Sequence, residues 1–437
     1  MSCSTLHSTD DASSTTLRSA EDNLSQKEAG VAVTTASEPR YDGGLDAWLT
    51  VLGGWLIAFC TFGAASSFGV YQDFYTLKGT GSSSAIAWIG SLQLCLDFAM
   101  ALPAGKLCDL GYFHHIQIGG GLLYIFSLFM LSITDVTKYY QVFLSQGVGV
   151  GIGSGIIYVP ALTIQAHHWK KRRALAMGVV ISGGSWGGII YPIMLNQLVQ
   201  GSVGFAWGVR SMALMTLGLL MIANMCMKPR FVPSSRKTLD SAQAKASAPT
   251  RKRSLSEIIF DPPYFLTVLG SCLTVFGLYY PNFYLQLFVT ERGLSPTLAF
   301  YSLAILNASA IFGRCLLNYA ADHFGYFNVM CPVSVVSTGL LFCLLRATSV
   351  GGVVAFAIVY GFFSGGFASL LGPSVTTLTK DISELSTCMG VGFFATSFGL
   401  LLGSPISGAL LGPSFAWFKP IVFSSVRPGS RSTNACD

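Results

Sequence analysis

Charged residues are scarce in this chain: they occupy 11% of 437 positions, against 51% hydrophobic residues, and the mean hydropathy is +0.57. Soluble globular domains carry about 25% charged residues, so the composition excludes an ordinary soluble protein. The net charge of +6 does not indicate nucleic-acid binding, because Lys and Arg are grouped in loops between long apolar runs. We therefore expect the lipid bilayer to be the main partner of this chain's surface.

Patterns typical of metal sites and of catalysis are also missing from the sequence. The 11 Cys are scattered, without a Cys-x-x-Cys pair or a Cys/His cluster, which excludes a disulfide framework and a zinc site of ordinary spacing. His114 and His115, like His167 and His168, are adjacent, and neighbouring helix positions diverge by about 100°. The sequence also has no Ser/His/Asp triad, paired carboxylates or phosphate loop. We expect neither an enzyme nor a bound cofactor or metal.

Long apolar runs dominate what is present, and each can cross a bilayer as a helix of about 20 residues. The runs cover residues 48–70, 85–104, 116–133, 142–164, 174–195 and 206–227, then 264–289, 298–317, 329–345, 353–378 and 389–411. A last run, 415–426, is about a dozen residues long, so we interpret it as a twelfth helix cut short, for which a faulty gene model is one explanation. The pattern predicts an all-α polytopic membrane protein.

The distribution of charge predicts the domain boundaries and the orientation. Residues 1–46 are Ser/Thr-rich without an apolar stretch, which indicates a disordered tail. A six-helix half over 47–227 and a C-terminal half over 261–426, with five full spans and a short stub, flank a basic loop at 228–260. A polar tail covers 427–437. Basic residues concentrate before the fifth run and in the middle loop, so the positive-inside rule places the N-terminus and that loop in the cytosol. We expect a multi-pass protein of the plasma membrane.

Arg314, which is permanently charged, lies inside the apolar run 298–317. A charge at membrane depth is costly and is normally kept because it faces a cavity or a partner. Asn307 and Asn318 fall within about 60° of Arg314 on the same helix, so this polar face is expected to point into the helix bundle. All three are candidates to bind an anionic small-molecule substrate. The alternative is that Arg314 snorkels or pairs with Asp322.

The seventh run is expected to break at Pro281, which cannot donate to the helix ladder. Around it, Tyr280 and Tyr284 form one i,i+4 pair, and Asn282 and Gln286 form another. Broken helices of this kind line substrate cavities, so these four residues are further candidates for substrate binding. An interfacial aromatic belt is the alternative for the tyrosines.

Asp97 is the only acid well inside the first half, and it makes protons a candidate coupling ion. The alternative is a protonated Asp97 that is hydrogen-bonded to Gln93, one turn away. Five alternate glycines in residues 147–155 indicate close helix packing rather than a phosphate loop.

A short motif occurs at corresponding places in the two halves, after the second and the eighth runs. The copies are Gly105-Lys106-Leu107-Cys108-Asp109-Leu110-Gly111, and Gly313-Arg314 with Asn318-Tyr319-Ala320-Ala321-Asp322-His323-Phe324-Gly325. They resemble the G-x-L-x-D-x-x-G signature of the major facilitator superfamily, although Gly111 comes one residue early and Asn318 replaces the first glycine of the second copy. The resemblance implies two six-helix halves that alternate access. It also implies gating roles for Gly105, Asp109, Asp322, Gly325, Arg172 and Arg173.

A finer resemblance is to the monocarboxylate transporter family, in particular its fungal branch, from about Trp48 to Lys419. It rests on Ser67-Phe68-Gly69-Val70-Tyr71-Gln72, Trp88-Ile89-Gly90-Ser91-Leu92-Gln93, His168-Trp169-Lys170-Lys171-Arg172-Arg173-Ala174-Leu175-Ala176-Met177-Gly178, Gly187-Gly188-Ile189-Ile190-Tyr191-Pro192, Gly361-Phe362-Phe363-Ser364-Gly365-Gly366-Phe367 and Gly403-Ser404-Pro405-Ile406-Ser407-Gly408. Mammalian proton-linked members carry a lysine in the first helix and an acid one turn before the eighth-helix arginine. Here Ser66 and Ala310 stand there, so only Arg314 remains of that charged set.

Together these features predict a secondary transporter that moves a small organic anion, monocarboxylate-like, or an amphiphilic metabolite by alternating access. One alternative is efflux of a fungal secondary metabolite. Another, from a different class, is a non-transporting membrane sensor or the inactive product of a truncated gene. No obligate protein partner is indicated.

Overall fold

The computed structural model describes residues 42–201, 204–229, 255–379, 384–411 and 417–425, all within the unit Asp42–Asp437. Regular structure throughout these ranges is helical. Nearly all of the predicted N-terminal tail, most of the predicted basic loop and the whole predicted polar tail lie outside the described residues. The domain boundaries given above therefore stay predictions.

Within the described ranges, 11 helices are long and apolar enough to cross a membrane, as the apolar runs predicted. They are α1 (Leu45–Ser66, then Phe68–Lys78), α2 (Ser83–Ala99, then Ala101–Asp109), α3 (Phe113–Ile133), α4 (Tyr139–Val142, the π-helical Phe143–Val150, Gly151–Thr163 and Gln165–His168), α5 (Arg173–Gln200), α6 (Gly204–Cys226), α7 (Pro262–Leu278, then Tyr280–Glu291), α8 (Pro296–Phe324), α9 (Tyr326–Leu344), α10 (Val350–Thr377) and α11 (Leu385–Leu411). A short helix, Leu255–Ile259, precedes α7.

A final helix, α12, covers Phe418–Ser425 and has 8 residues. Crossing a bilayer takes about 20 helical residues, so the described part of α12 is too short to span. This agrees with the predicted short twelfth helix. Residues 412–416 and 426–437 lie outside the described residues.

The first helix of each half is interrupted. α1 breaks at Ser67, and α7 breaks at Tyr279, two residues before Pro281. The break in α7 confirms the expected effect of Pro281, which lacks an N–H for the helix ladder. Corresponding breaks in the two halves are typical of repeated transporter folds, in which broken helices border a cavity.

Glycines in α4 allow its close contact with α2 and α3. A Cβ added at Gly153 would lie 2.6 Å from the backbone nitrogen of Tyr124 in α3, and one at Gly155 would lie 2.6 Å from the carbonyl oxygen of Leu96 in α2. Any larger residue would push these helices apart, so the prediction that the glycines serve helix packing is confirmed.

Candidate functional site

A cavity lies between the helices of the two halves, with walls from α1, α2, α5, α7, α8 and α10. Its volume is about 1450 Å³ when the open mouth is included. Much of the wall is aromatic, with contributions from Phe62, Phe68, Tyr279, Phe283 and Phe300. A mostly apolar cavity with a few polar groups suits an amphiphilic small molecule.

Arg314 lies at the inner end of the cavity. A Cβ added at Gly184 of α5 would lie 2.8 Å from Cβ of Phe62 and 3.4 Å from Nη1 of Arg314. Because both side chains abut the same glycine, Phe62 and Arg314 share one depth. Gly184 is also the first residue of α5 to line the cavity, so this level is its floor.

A second polar level lies one helical turn nearer the mouth. A Cβ added at Gly188 would lie 3.1 Å from Oδ1 of Asn307 and 3.1 Å from Oγ of Ser66. Further out, Gln72 and Asn196 also line the cavity. Polar groups therefore recur along the depth of an otherwise apolar wall.

Arg314 has unused hydrogen-bonding capacity at the cavity floor. Its Nη1 donates to the carbonyl oxygen of Ile181 in α5, and its Nε has no hydrogen-bond partner among the described residues. Within the described ranges, the ion pairs are Lys138 with Asp135 and Lys228 with Asp46, so no described acid neutralises Arg314.

The alternative that Arg314 pairs with Asp322 is wrong. The carboxylate of Asp322 instead accepts hydrogen bonds from the backbone nitrogens of Ala174 and Leu175, at 3.0 and 2.9 Å. A fork of N–H donors without an acid partner is suited to bind a carboxylate or an acidic enol.

Four predicted substrate-binding residues line this one cavity: Arg314, Asn307, Asn282 and Gln286. Asn282 and Gln286 lie on the part of α7 that follows its break, and Asn307 and Arg314 lie on α8. The cavity brings these four side chains together, and their role in binding stays a prediction.

Three other predicted residues lie away from the cavity wall. Asn318 is fully buried, and its Nδ2 donates to the carbonyl oxygen of Arg314 and to Oγ of Ser369, at 2.7 and 2.6 Å. The rings of Tyr280 and Tyr284 lie 5.1 Å apart on the face of α7 opposite to Asn282. Residues 280 and 282 differ by about 200° on a helix, so only one of the two pairs can face the cavity. An interfacial belt does not fit Tyr280, which is 2% exposed.

Asp97 is buried between α2 and α4, outside the cavity wall. Oγ of Ser154 donates to Oδ1 of Asp97, while Oδ2 has no hydrogen-bond partner among the described residues. The alternative bond to Gln93 is therefore wrong, because Ser154 of α4 supplies the donor instead. The role of Asp97 as a proton site stays a prediction.

The two motif copies meet the opposite half at one end of the bundle, which we call the Asp109 end. Asp109 accepts hydrogen bonds from the backbone nitrogens of Ser386 and Thr387, at 3.2 and 2.7 Å, and from Oγ1 of Thr387, at 2.6 Å. Asp322 makes the equivalent pair of bonds to the start of α5. In both places a carboxylate of one half caps the N-terminus of a helix in the other, where free N–H groups favour an anion.

Glycines bring the two halves into direct contact at this end. A Cβ at Gly105 would overlap the carbonyl oxygen of Ser386, and one at Gly178 in α5 would overlap the carbonyl oxygen of Arg314. Gly325 ends α8 at φ 91°, a conformation that favours glycine. The cavity is therefore closed at the Asp109 end, while its lining reaches the exposed Asp73 towards the opposite end.

Arg172 and Arg173 lie at the same closed end, where α5 begins. The backbone nitrogens of Lys170, Lys171 and Arg172 donate to one carboxylate oxygen of Asp42, at 2.9, 2.7 and 3.2 Å. Three adjacent N–H groups around an oxygen form an anion nest that fixes this turn.

Sequence reasoning missed several residues of the site, including Asp42, Gln72, Asp73 and Asn196. The first apolar run ends at residue 70, whereas α1 continues to Lys78, so hydropathy alone does not include Gln72 and Asp73 in the membrane helix. Asp42 has no signal beyond its place before two glycines.

Comparisons with known proteins agree with this architecture. A family model described as Major Facilitator Superfamily matches residues 54–345. The "Aspyridones efflux protein apdF" of Emericella nidulans is 37% identical over 392 residues, which cover 89% of this chain and 77% of that protein. The "Agnestins efflux protein AgnL12" of Paecilomyces divaricatus is 36% identical, with 84% and 81% covered. The human organic anion transporter MFSD10 (TETRAN) shares the fold, with a TM-score of 0.62 at 15% identity over 86% of this chain and 96% of that one.

Proposed function

This chain belongs to the major facilitator superfamily, and on that premise we propose that it exports a small acidic amphiphile across the plasma membrane by alternating access. It is a multi-pass transmembrane transporter. Relatives that are 34–37% identical are named efflux proteins for aspyridones, agnestins and fujikurins, which supports export of a fungal secondary metabolite. Within the superfamily we propose a place beside the fungal monocarboxylate-porter-like members, on the resemblance of stretches such as 168–178 and 187–192.

The observation that carries the proposal is the Arg314 guanidinium at the floor of an aromatic cavity, without a described acid partner. An acidic head group can take the free donors of Arg314 while the body of the molecule packs against Phe62 and Tyr279. Asn307 and Asn282 then lie within the same cavity as amide donors or acceptors for further polar groups.

We assign the Asp109 end to the cytosol, which follows the positive-inside rule for the basic stretch around residue 171. The cavity then opens to the outside, and the structure is the outward-facing state. Cargo loads from the cytosol when the bonds of Asp109 and Asp322 to the opposite half are broken, and it leaves when they re-form. Alternating access thus reduces to the making and breaking of contacts between halves at the two ends.

For the driving ion we propose protons, held at Asp97. The unpartnered Oδ2 of this buried carboxylate can carry a proton, and Ser154 can donate to the ionised form. Asp97→Asn should then leave downhill export intact while abolishing its dependence on a pH gradient. Export that still follows the gradient in this variant removes Asp97 from the proposal.

The test of the cargo site is efflux of a fluorescent aryl acid, pyrenebutyrate, from loaded yeast cells that express the full chain. Arg314→Gln removes the charge and should weaken binding about 10- to 100-fold, because a hydrogen bond to a charged group contributes about 1.5–3 kcal/mol. Arg314→Lys keeps the charge without the planar fork and should retain partial export.

Membrane abundance of each variant is measured alongside efflux. Normal export by Arg314→Gln at normal abundance would exclude Arg314 from the cargo site. A wild-type chain of normal abundance that exports none of a broad panel of aryl acids would instead support the sensor or inactive-product alternatives.

A further inference from the structure

A second charged residue, Asp73, lines the cavity near its mouth. Its side chain is exposed, and neither carboxylate oxygen has a hydrogen bond or an ion pair with another described residue. Among the described residues that line the cavity, Asp73 and Arg314 are the only charged ones. The cavity therefore has one cation and one anion, both without a charged partner.

The two charges lie at opposite ends of the cavity. Phe62 of α1 shares the depth of Arg314 through their common contact with Gly184. Asp73 follows Phe62 by 11 residues along α1, beyond the break at Ser67. At a rise of about 1.5 Å per helical residue, the two parts of α1 place Asp73 on the order of 16 Å nearer the mouth. The intervening wall is largely apolar and includes Phe68, Phe283 and Leu303.

We infer that the cavity binds its cargo at both ends. An acidic group of the cargo binds Arg314, and a hydrogen-bond donor of the cargo (O–H, N–H or ammonium) binds Asp73. An apolar body joins these two groups. This deepens the proposed function and rests on it, because the inner contact is the one assigned there to Arg314. The outer contact defines a narrower substrate class, an elongated ω-hydroxy or ω-amino acid rather than a simple monocarboxylate.

The chemistry of a carboxylate sets the selectivity. An ionised carboxylate accepts hydrogen bonds and cannot donate them, so Asp73 favours a terminal donor and gains nothing from a methyl or phenyl end. A second carboxylate on the cargo would face the like charge of Asp73, so a diacid should bind more weakly. Asp73 therefore discriminates among molecules that bind Arg314 equally well.

The experiment measures dissociation constants of rigid acids with the purified full chain in lipid nanodiscs. Three probes share one frame: 4″-hydroxy-p-terphenyl-4-carboxylate, p-terphenyl-4-carboxylate and p-terphenyl-4,4″-dicarboxylate. The wild type should bind the hydroxy acid about tenfold more tightly than the unsubstituted acid, as expected for a hydrogen bond to a charged group. The diacid should bind more weakly than either.

Asp73→Asn should reduce the preference for the hydroxy acid to about threefold or less and relieve the penalty on the diacid, both measured relative to the unsubstituted acid in the same variant. An amide accepts a hydrogen bond more weakly than a carboxylate and carries no charge. The matched control is Asp135→Asn, which removes the same charge from the loop after α3, where Asp135 contacts Thr137 and Lys138 rather than the cavity.

Equal affinities for the hydroxy and unsubstituted acids in the wild type, or a preference that survives in Asp73→Asn, would overturn this inference and leave the proposed function standing. Arg314→Gln separates the two failures, because it should weaken binding of all three probes alike. Undiminished binding of the unsubstituted acid by Arg314→Gln would remove the inner contact and the proposed function with it.

Discussion

Replacing Asp109 by Asn should open the Asp109 end of the transporter. The carboxylate of Asp109 accepts two backbone N–H bonds and one hydroxyl bond from Ser386 and Thr387 of the opposite half. An amide keeps one acceptor oxygen, and its NH₂ group then faces an N–H donor. The substitution therefore weakens the closed arrangement without touching the cavity.

The size of the effect follows from the bonds lost. At least one charge-assisted hydrogen bond disappears, which contributes about 1.5–3 kcal/mol. Loss of the charge beside the start of α11 adds about 0.3–1 kcal/mol. The ratio of open to closed protein at this end should then rise roughly 20- to 700-fold, since each 1.4 kcal/mol or so is tenfold. Thr387→Val removes only the hydroxyl bond and should give a smaller shift in the same direction.

A single reporter thiol can measure this ratio. Ala304 lines the cavity, so Ala304→Cys in a background without native cysteines reacts with an impermeant maleimide from whichever side is open. In sealed vesicles of known orientation, labelling from the Asp109 side should accelerate at least tenfold in Asp109→Asn.

The matched control is Asp46→Asn, at the same end of the bundle, where Asp46 makes only an exposed ion pair with Lys228 at 3.6 Å. Such pairs contribute little, so labelling should stay at the wild-type rate. Unchanged labelling from both sides in Asp109→Asn, at normal abundance, would refute the gating role of Asp109.

Three further outcomes are expected. Asp42→Ala leaves three backbone N–H groups of residues 170–172 without their acceptor and should speed trypsin cleavage at this turn of the purified protein, with Asp42→Asn intermediate. Gly105→Val would place side-chain atoms against a backbone carbonyl of α11 and should increase labelling from the Asp109 side more than Asp109→Asn does; wild-type labelling would contradict the contact. Epitope tags inserted at Ser19 and Lys245 should both resist protease in intact cells, and cleavage of either one would contradict the assigned orientation.

The helices were predictable because hydropathy alone determines which stretches can cross a bilayer. The ends of the helices were less predictable, as α1 shows. The polar residues after Val70 lower hydropathy, yet the helix continues to Lys78 because Tyr71 and Tyr75 are buried against the rest of the first half, at 2% and 0% exposure. This tertiary packing has no hydropathy signal, and the missed extension carries Asp73.

The candidate site was predictable where its residues share one helix. The spacing of Asn307 and Arg314 places both on one face of α8, and the structure puts both on the cavity wall. Contacts between distant helices were not predictable: Ser154 reaches Asp97 from another helix, 57 positions away in the chain. Such pairs depend on how helices pack, which local periodicity does not encode.

The contact between α5 and α8 connects the cavity floor with the closed Asp109 end. α8 presents Arg314, Asn318 and Asp322 at intervals of one turn, and the first and last of these bond to the backbone of α5, at Ile181 and at the first turn. Between them, Asn318 packs against Gly178 of α5. On the proposed function, an acidic cargo would bind the free donors of Arg314 while Nη1 stays bonded to Ile181. The cargo contact and the Asp322 contact would then lie on one face of α8 against α5, so a shift between these two helices would act on both.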